Sequence, residues 1–137
     1  MSQMIMNNTL IDSIDVFDII RSIKDPEFPN TLEELNVVNE DLITVDNSTE
    51  NDYCTIKIYF TPTVPHCHLA PTIGLCIREK LNLLLPKKSK IEILIKPGTH
   101  QTEDTINKQV NDKERYIAAM ENKEIKKLVL ECIEETE

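Results

Sequence analysis

Tryptophan is absent from this 137-residue chain, and its aromatic side chains come to three Tyr and three Phe. Ile and Leu must therefore fill the core. Glycine is nearly as scarce, with only Gly74 and Gly98. A phosphate-binding loop needs closely spaced glycines so that backbone N–H groups can reach the anion, so nucleotide motifs of that kind are excluded. No apolar run approaches the roughly 18 residues that cross a bilayer, and no membrane association is expected. The opening stretch, Met1 to Thr9, has neither a basic start nor a long apolar centre, and does not read as a secretory signal. Positive charge is in short supply too: 15 Lys and Arg stand against 24 Asp and Glu, a formal net charge of −9. Direct nucleic-acid binding needs Lys and Arg to neutralise phosphates and is not expected. An acidic surface instead suits docking to basic patches on partner proteins. The four cysteines show no close pairing. The compartment these features imply is the cytoplasm, with the nucleus as an extension of it, where thiols stay reduced and no disulfide framework forms.

What is present fits one domain with one modest core. Residues 1–10 read as a flexible N-terminus and residues 11–137 as a single domain. Val16, Ile19, Ile20 and Ile23 stand at i, i+3, i+4, i+7 spacing and predict an amphipathic helix over 11–23. Asp25-Pro26-Glu27 stops it, because proline disfavours helical geometry in the residue before it. Thr31 and Glu34 have the spacing of a capping box, with room for only a short turn before Val37-Val38. Leu42 to Asp46 predicts a strand. Tyr53 to Phe60 alternates, with Cys54, Ile56, Ile58 and Phe60 on one face, and predicts a half-buried partner strand. Leu69 to Leu85 is the central helix, its stripe formed by Leu69, Ile73, Cys76, Ile77, Leu81 and Leu84. Ser89 to Lys96 alternates again. Two helices follow, over 111–119 and 121–135, the second with Ile125, Leu128, Val129, Cys132 and Ile133 as its stripe. The fold class is α+β: a small, mostly antiparallel three-stranded sheet packed with helices, in the order α-β-β-α-β-α.

Three cysteines have a packing explanation. Cys54 lies on the apolar face of its strand, and Cys76 and Cys132 lie on apolar helical stripes, where a thiol behaves as a small hydrophobe. Cys67 belongs to no stripe. It lies in Thr61-Pro62-Thr63-Val64-Pro65-His66-Cys67-His68, just before the central helix. A thiol at a helix N-terminus meets the positive end of the dipole, which favours the thiolate. A reactive cysteine and a loop thiol tucked beneath the helix are equally open on these grounds. The flanking His66 and His68, with His100, are candidate metal ligands or a candidate base. Neighbouring residues rarely hold one ion together, however, and no C-x₂-C pair completes a zinc set. A Cys67–His100 dyad requires hydrogen-bond reach, which spacing does not reveal.

The chain resembles the cytosolic iron–sulfur assembly targeting factors, the MIP-eighteen family, from about residue 14 to 134. The matching stretches are Asp25-Pro26-Glu27 with Pro29-Asn30-Thr31-Leu32-Glu33-Glu34-Leu35, Phe60-Thr61-Pro62-Thr63-Val64-Pro65-His66-Cys67 and Ile73-Gly74-Leu75-Cys76. Further along come Gly98-Thr99-His100, Ile106-Asn107-Lys108-Gln109, and Asn111-Asp112-Lys113-Glu114-Arg115 leading to Ala118-Ala119-Met120-Glu121-Asn122. Several separate motifs in the right order are far more specific than any one of them. The resemblance implies a compact α+β adaptor, not an enzyme. It implies assembly with a WD-repeat propeller subunit and a helical-repeat scaffold, and delivery of [4Fe–4S] clusters to apo iron–sulfur client proteins, enzymes of DNA metabolism among them. The family's reactive cysteine falls on Cys67. The chain departs from the family in having His68 where serine is usual and Pro71 where threonine is usual. One cysteine cannot hold a cubane cluster, which needs four thiolates or equivalents, so no stably bound cofactor is expected and any cluster or metal on Cys67 is transient. Asp25, Pro26 and Glu27 are candidates for a docking turn, against plain helix termination. Lys113, Glu114 and Arg115 are candidates for a partner-binding face, against a solvated helix start. The alternative functions are a Cys67-dependent thiol enzyme and a metal-binding oligomer, such as a homodimer sharing Cys67 and histidines.

Overall fold

The computed structural model describes residues 11–26, 28–48, 53–62, 70–85, 89–98 and 103–134. Helix α1 spans Ser13–Ile20. Asp12 and Asp15 start it by exchanging backbone-to-carboxylate hydrogen bonds, Asp15 N to Asp12 Oδ1 at 2.9 Å and Asp12 N to Asp15 Oδ2 at 3.1 Å. Each satisfies an N–H that the first helical turn leaves without a partner. Val16 and Ile20 are buried on its inner face. The helix ends earlier than the apolar spacing predicts, and Ile23 reaches the core from the segment after it.

The turn over residues 31–36 is closed at both ends. Thr31 N donates to Glu34 Oε1 at 2.9 Å and Glu34 N donates to Thr31 Oγ1 at 3.2 Å, the capping box that the sequence spacing predicts. At the other end Asn36 adopts a left-handed backbone, φ 61°. Val37 N then reaches Leu32 O at 2.9 Å and Asn36 N reaches Glu33 O at 3.1 Å. These are the two bonds of a Schellman motif, accompanied by buried Leu32 and Val37. Arg21 fastens the turn to α1, donating from Nε and Nη2 to the two carboxylate oxygens of Glu33 at 3.0 and 2.8 Å while lying over the Phe17 ring.

A 3-10 turn, Glu40–Leu42, leads into strand β1, Ile43–Ser48, and strand β2 is Tyr53–Phe60. The two pair antiparallel, with Ile43 opposite Ile58 and Val45 opposite Ile56. Helix α2, Ala70–Leu84, then crosses to strand β3, Ser89–Ile95, which pairs parallel to β2 with Ile56 opposite Ile91 and Phe60 opposite Ile95. The sheet order is β1-β2-β3, so one ladder is antiparallel and the other parallel. Alternation gives the sheet its buried face: Cys54, Ile56, Ile58 and Phe60 from β2 meet Ile91, Ile93 and Ile95 from β3.

Among the described residues three helices follow β3: α3, Glu103–Asn111; α4, Lys113–Glu121; and α5, Lys123–Ile133. Asp112 caps α4 through Glu114 N and Arg115 N, and Asn122 caps α5 through Glu124 N and Ile125 N. The sequence pattern predicts two helices in this region and misses α3, whose only apolar residues are Ile106 and Val110. Polar groups do the joining instead. Asn111 accepts from Ile93 N at 2.8 Å through Oδ1 and donates to Ile93 O at 2.7 Å through Nδ2. Asn107 Oδ1 accepts from Ile95 N at 2.8 Å. Two side-chain amides thus bond to the margin of β3 that pairs with no strand among the described residues.

Helix α2 is the hub, packed against α1, β3, α3 and α5. Its buried positions include Ile73, Gly74, Cys76, Ile77 and Leu81. Leu84, which the apolar spacing assigns to the same stripe, is 52% exposed because the helix runs past the rim of the core. Gly74 marks the closest approach of α2 to α3: a Cβ there would lie 2.5 Å from Cγ1 of the buried Val110. Alanine gains up to about 1 kcal/mol over glycine in a helix interior, but overpacking costs about 1–3 kcal/mol, and the stiff Val110 side chain has little freedom to turn aside. Gly74→Ala is therefore expected to lower the unfolding free energy by about 1–2 kcal/mol. Val110→Ala should cost less in that background than in the wild type, as a double-mutant cycle in urea will show.

Candidate functional site

The parallel ladder decides where the candidate site residues leave the fold. Phe60 and Ile95 are paired at the C-terminal ends of β2 and β3, and Lys96 N closes the end by donating to Phe60 O at 2.8 Å. The chain segments that carry Cys67 and His100 both depart from this end. Ligand sites of parallel α/β units gather outside the C-terminal strand ends, because the crossover connections leave there. On one side the Cys67 segment is anchored by Thr61 N, which donates to Val37 O at 2.9 Å, and by buried Pro62. On the other it is anchored by Ala70, fully buried at the start of α2. After β3, Gly98 takes a left-handed backbone, φ 84°, which glycine adopts without a side-chain clash. Cys67, His66, His68, His100 and Glu27 themselves lie outside the described residues.

Beside the start of α2 runs a groove of about 410 Å³, lined by Pro71, Thr72, Leu75, Val110, Arg115, Ala119 and Ile125. It brings Arg115, one of the docking candidates, next to the first turn of the helix that follows Cys67. Lys113 does not share that groove. It lines a second cleft with Arg78, Asn82, Lys90 and Tyr116. Lys113, Glu114 and Arg115 are all exposed in the first turn of α4.

The second cleft rests on a network that the sequence pattern does not announce. Arg78 donates from Nε to Val110 O at 2.8 Å, and from Nη2 to Ile91 O at 2.7 Å and to Asn111 Oδ1 at 2.9 Å. It therefore ties α2 to both α3 and β3. Its guanidinium lies 5.9 Å from the Tyr116 ring centre, and Tyr116 donates its hydroxyl hydrogen to Glu79. Each of these residues looks like an ordinary surface polar group in the sequence. No local spacing links positions 78, 111 and 116.

The other three cysteines are core residues: Cys54 and Cys76 are fully buried and Cys132 is 5% exposed. Cys76 and Cys132 meet across the α2–α5 interface as hydrogen-bonding partners, with the Asp25 charge nearby. That contact, reinforced by burial, pushes the Cys76 thiol upward and keeps it protonated. Asp25 is itself 6% exposed. Its N–H donates to Asn30 O at 2.9 Å and its Oδ1 accepts from Phe28 N at 3.0 Å. The carboxylate thus shapes the turn around the partly buried Pro26. Among the described residues no three His, Cys, Asp or Glu side chains converge on a metal-sized position.

With the site's frame in place, likeness to known proteins becomes informative. The family model described as iron–sulfur cluster assembly protein matches residues 14–95, which include both sides of the Cys67 segment and the whole sheet. The chain belongs to the MIP18 family of iron–sulfur cluster assembly proteins. The MIP18 family protein FAM96A of Dictyostelium discoideum is 67% identical over 147 aligned positions, covering 96% of this chain and 98% of its own length. Protein AE7 of Arabidopsis thaliana is 54% identical over 123 positions, covering 90% of this chain and 76% of its own length. The cytosolic iron-sulfur assembly component 2B of Mus musculus is 48% identical over 123 positions, with 90% and 73% covered. The MIP18 resemblance that the sequence motifs carry is therefore the right one.

The Tyr116 phenol gives the network a pH signature. Burial, then the Glu79 hydrogen bond, push it up to about 12 from its ordinary 10. A folded-state value above the unfolded one means that the proton stabilises the fold. The contribution is whole below pH 10 and is lost as pH rises toward 12. Absorbance titration at 295 nm should show a tyrosinate step near pH 12 that disappears in Tyr116→Phe.

Proposed function

We propose that this MIP18 protein is an adaptor of cytosolic iron–sulfur protein assembly that helps deliver [4Fe–4S] clusters to apo-proteins, with Cys67 as its reactive thiol. The observation that carries the role of Cys67 is the fate of the other three cysteines. Cys54, Cys76 and Cys132 are all committed to the core, whereas Cys67 belongs to the connection that runs from β2 to α2 and leaves the sheet at the strand end outside which ligand sites gather. The assembly role is supported by the family and by a mouse relative named cytosolic iron-sulfur assembly component 2B. No described helix is long and apolar enough to cross a membrane.

In this reading the cluster is cargo. A thiolate is a soft ligand suited to iron, but a [4Fe–4S] cluster takes four cysteine ligands. Cys67 supplies one, and the client or the assembly partners supply the remainder. A WD-repeat propeller subunit and a helical-repeat scaffold are the expected partners, and the groove holding Arg115 lies beside the first turn of α2, the helix that follows the Cys67 segment. The helix dipole of α2 favours the thiolate in the segment just before it.

Cys67→Ala is expected to lower the cluster content of client enzymes while leaving the fold and the pull-down of the propeller partner intact. Normal client loading in that variant would remove Cys67 from the chemistry. In the wild-type protein, iodoacetamide at neutral pH should modify Cys67 before Cys54, Cys76 and Cys132, as peptide mass spectrometry will show.

One observation favours a second reading, a Cys67–His100 dyad of a thiol enzyme: both segments leave the sheet at the paired Phe60 and Ile95. A dyad makes the alkylation rate of Cys67 depend on His100. His100→Ala should then shift its pH profile upward by about one unit or more, as loss of an activating partner does. An unchanged profile ends the enzyme reading and leaves the adaptor.

A further inference from the structure

We infer that the groove between the C-terminal end of α2 and helix α5 is the docking site for an acidic amphipathic helix of a partner protein. This goes beyond the delivery role and does not use Cys67. The groove measures about 750 Å³. Its apolar floor comes from Leu83, Leu84, Leu130 and Ile133. Leu83, Leu84 and Leu130 are 61%, 52% and 41% exposed, three of the few large apolar side chains that the described residues leave in water. It sits about 20 Å along α2 from Ala70, at 1.5 Å per residue, and so lies far from the sheet end where the Cys67 segment departs.

Charge selects the occupant. The chain carries −9 overall, yet Lys123, Lys126 and Lys127 line this groove. At i, i+3 and i+4 they form one stripe of α5, continued by Leu130 at i+3 from Lys127. A local cationic rim on an acidic protein fits an acidic visitor. Glu131 and Glu134 line the far end, so the visitor's carboxylates belong beside the N-terminal half of α5. Lys80 also lines the groove but is 3% exposed and donates to Ser22 Oγ at 2.8 Å, so it is turned inward and does not add to the rim.

Shape selects the conformation. Every lining residue belongs to α2, α5 or the C-cap of α5, and helices keep their backbone groups bonded internally. An extended peptide would find no strand edge there and would bury its own N–H and C=O groups without partners. A helix brings its backbone already satisfied and lays leucines into the floor at i, i+3, i+4 and i+7. A second copy of this chain suits the groove less well. A two-fold contact sets concave surface against concave surface, and two chains of −9 repel.

The test uses the full chain and a fluorescein-labelled synthetic helix of about five turns, with Leu on one face and Glu on its flanks. A second probe has Lys in place of every Glu. Fluorescence anisotropy should show the acidic probe binding at least about tenfold more tightly than the basic one, and more weakly as salt rises. Leu130→Glu and the pair Lys126→Glu, Lys127→Glu should each weaken the acidic probe about tenfold or more. These positions are exposed, so circular dichroism should stay native, while Cys67→Ala should bind the probe as the wild type does. No binding, equal binding of the two probes, or unchanged binding by the variants overturns the inference. Sedimentation velocity provides the remaining arm. A dimer that Leu130→Glu converts to monomer assigns the groove to a second copy and overturns it too.

Discussion

Two strands that run the same way cannot be joined by a tight turn. The parallel pairing of β2 with β3 therefore demands a long crossover, and α2 is that crossover. Much else in the molecule is arranged around this one obligation. The helix lies against the sheet and becomes the surface on which α1, α3 and α5 assemble. Its beginning follows the Cys67 segment, its second turn narrows to Gly74 so that Val110 can approach, and its end projects Leu83 and Leu84 beyond the core. One helix thus carries the frame of the thiol segment, the tightest packing and the apolar groove.

Much of this was legible in the residues. The alternation of Tyr53 to Phe60 reproduces the observed strand, and Ile125, Leu128, Val129, Cys132 and Ile133 mark the inner face of α5. Local spacing encodes such elements directly. It does not encode α3, which is held to β3 by Asn107 and Asn111 and not by an apolar stripe. Nor does it encode the Arg78 network or the meeting of Cys76 with Cys132, since those partners are distant in the chain and each has an ordinary local role. Cys67 stood out in the sequence for the opposite reason. It fitted no stripe, and the three cysteines that did fit one are core residues in the fold.

The distribution of charge follows a comparable logic. Carboxylates near helix starts are used locally: Asp12, Asp15 and Asp112 hold backbone N–H groups, and Glu34 closes the turn at Thr31. These four carboxylates are thereby tied to local architecture. The lysines of α5 have no comparable local duty in the helix's capping, and their concentration beside exposed leucines is what distinguishes that face.

The amides of Asn107 and Asn111 have a consequence for how the sheet can grow. By taking up Ile93 N, Ile93 O and Ile95 N, they occupy ladder positions in the C-terminal half of β3 that a strand from another molecule would need. The order β1-β2-β3 puts β1 at the opposite margin. A visiting strand must displace these bonds to extend the sheet along β3, so fibril-like stacking, which requires every unit to offer two receptive margins, is disfavoured there.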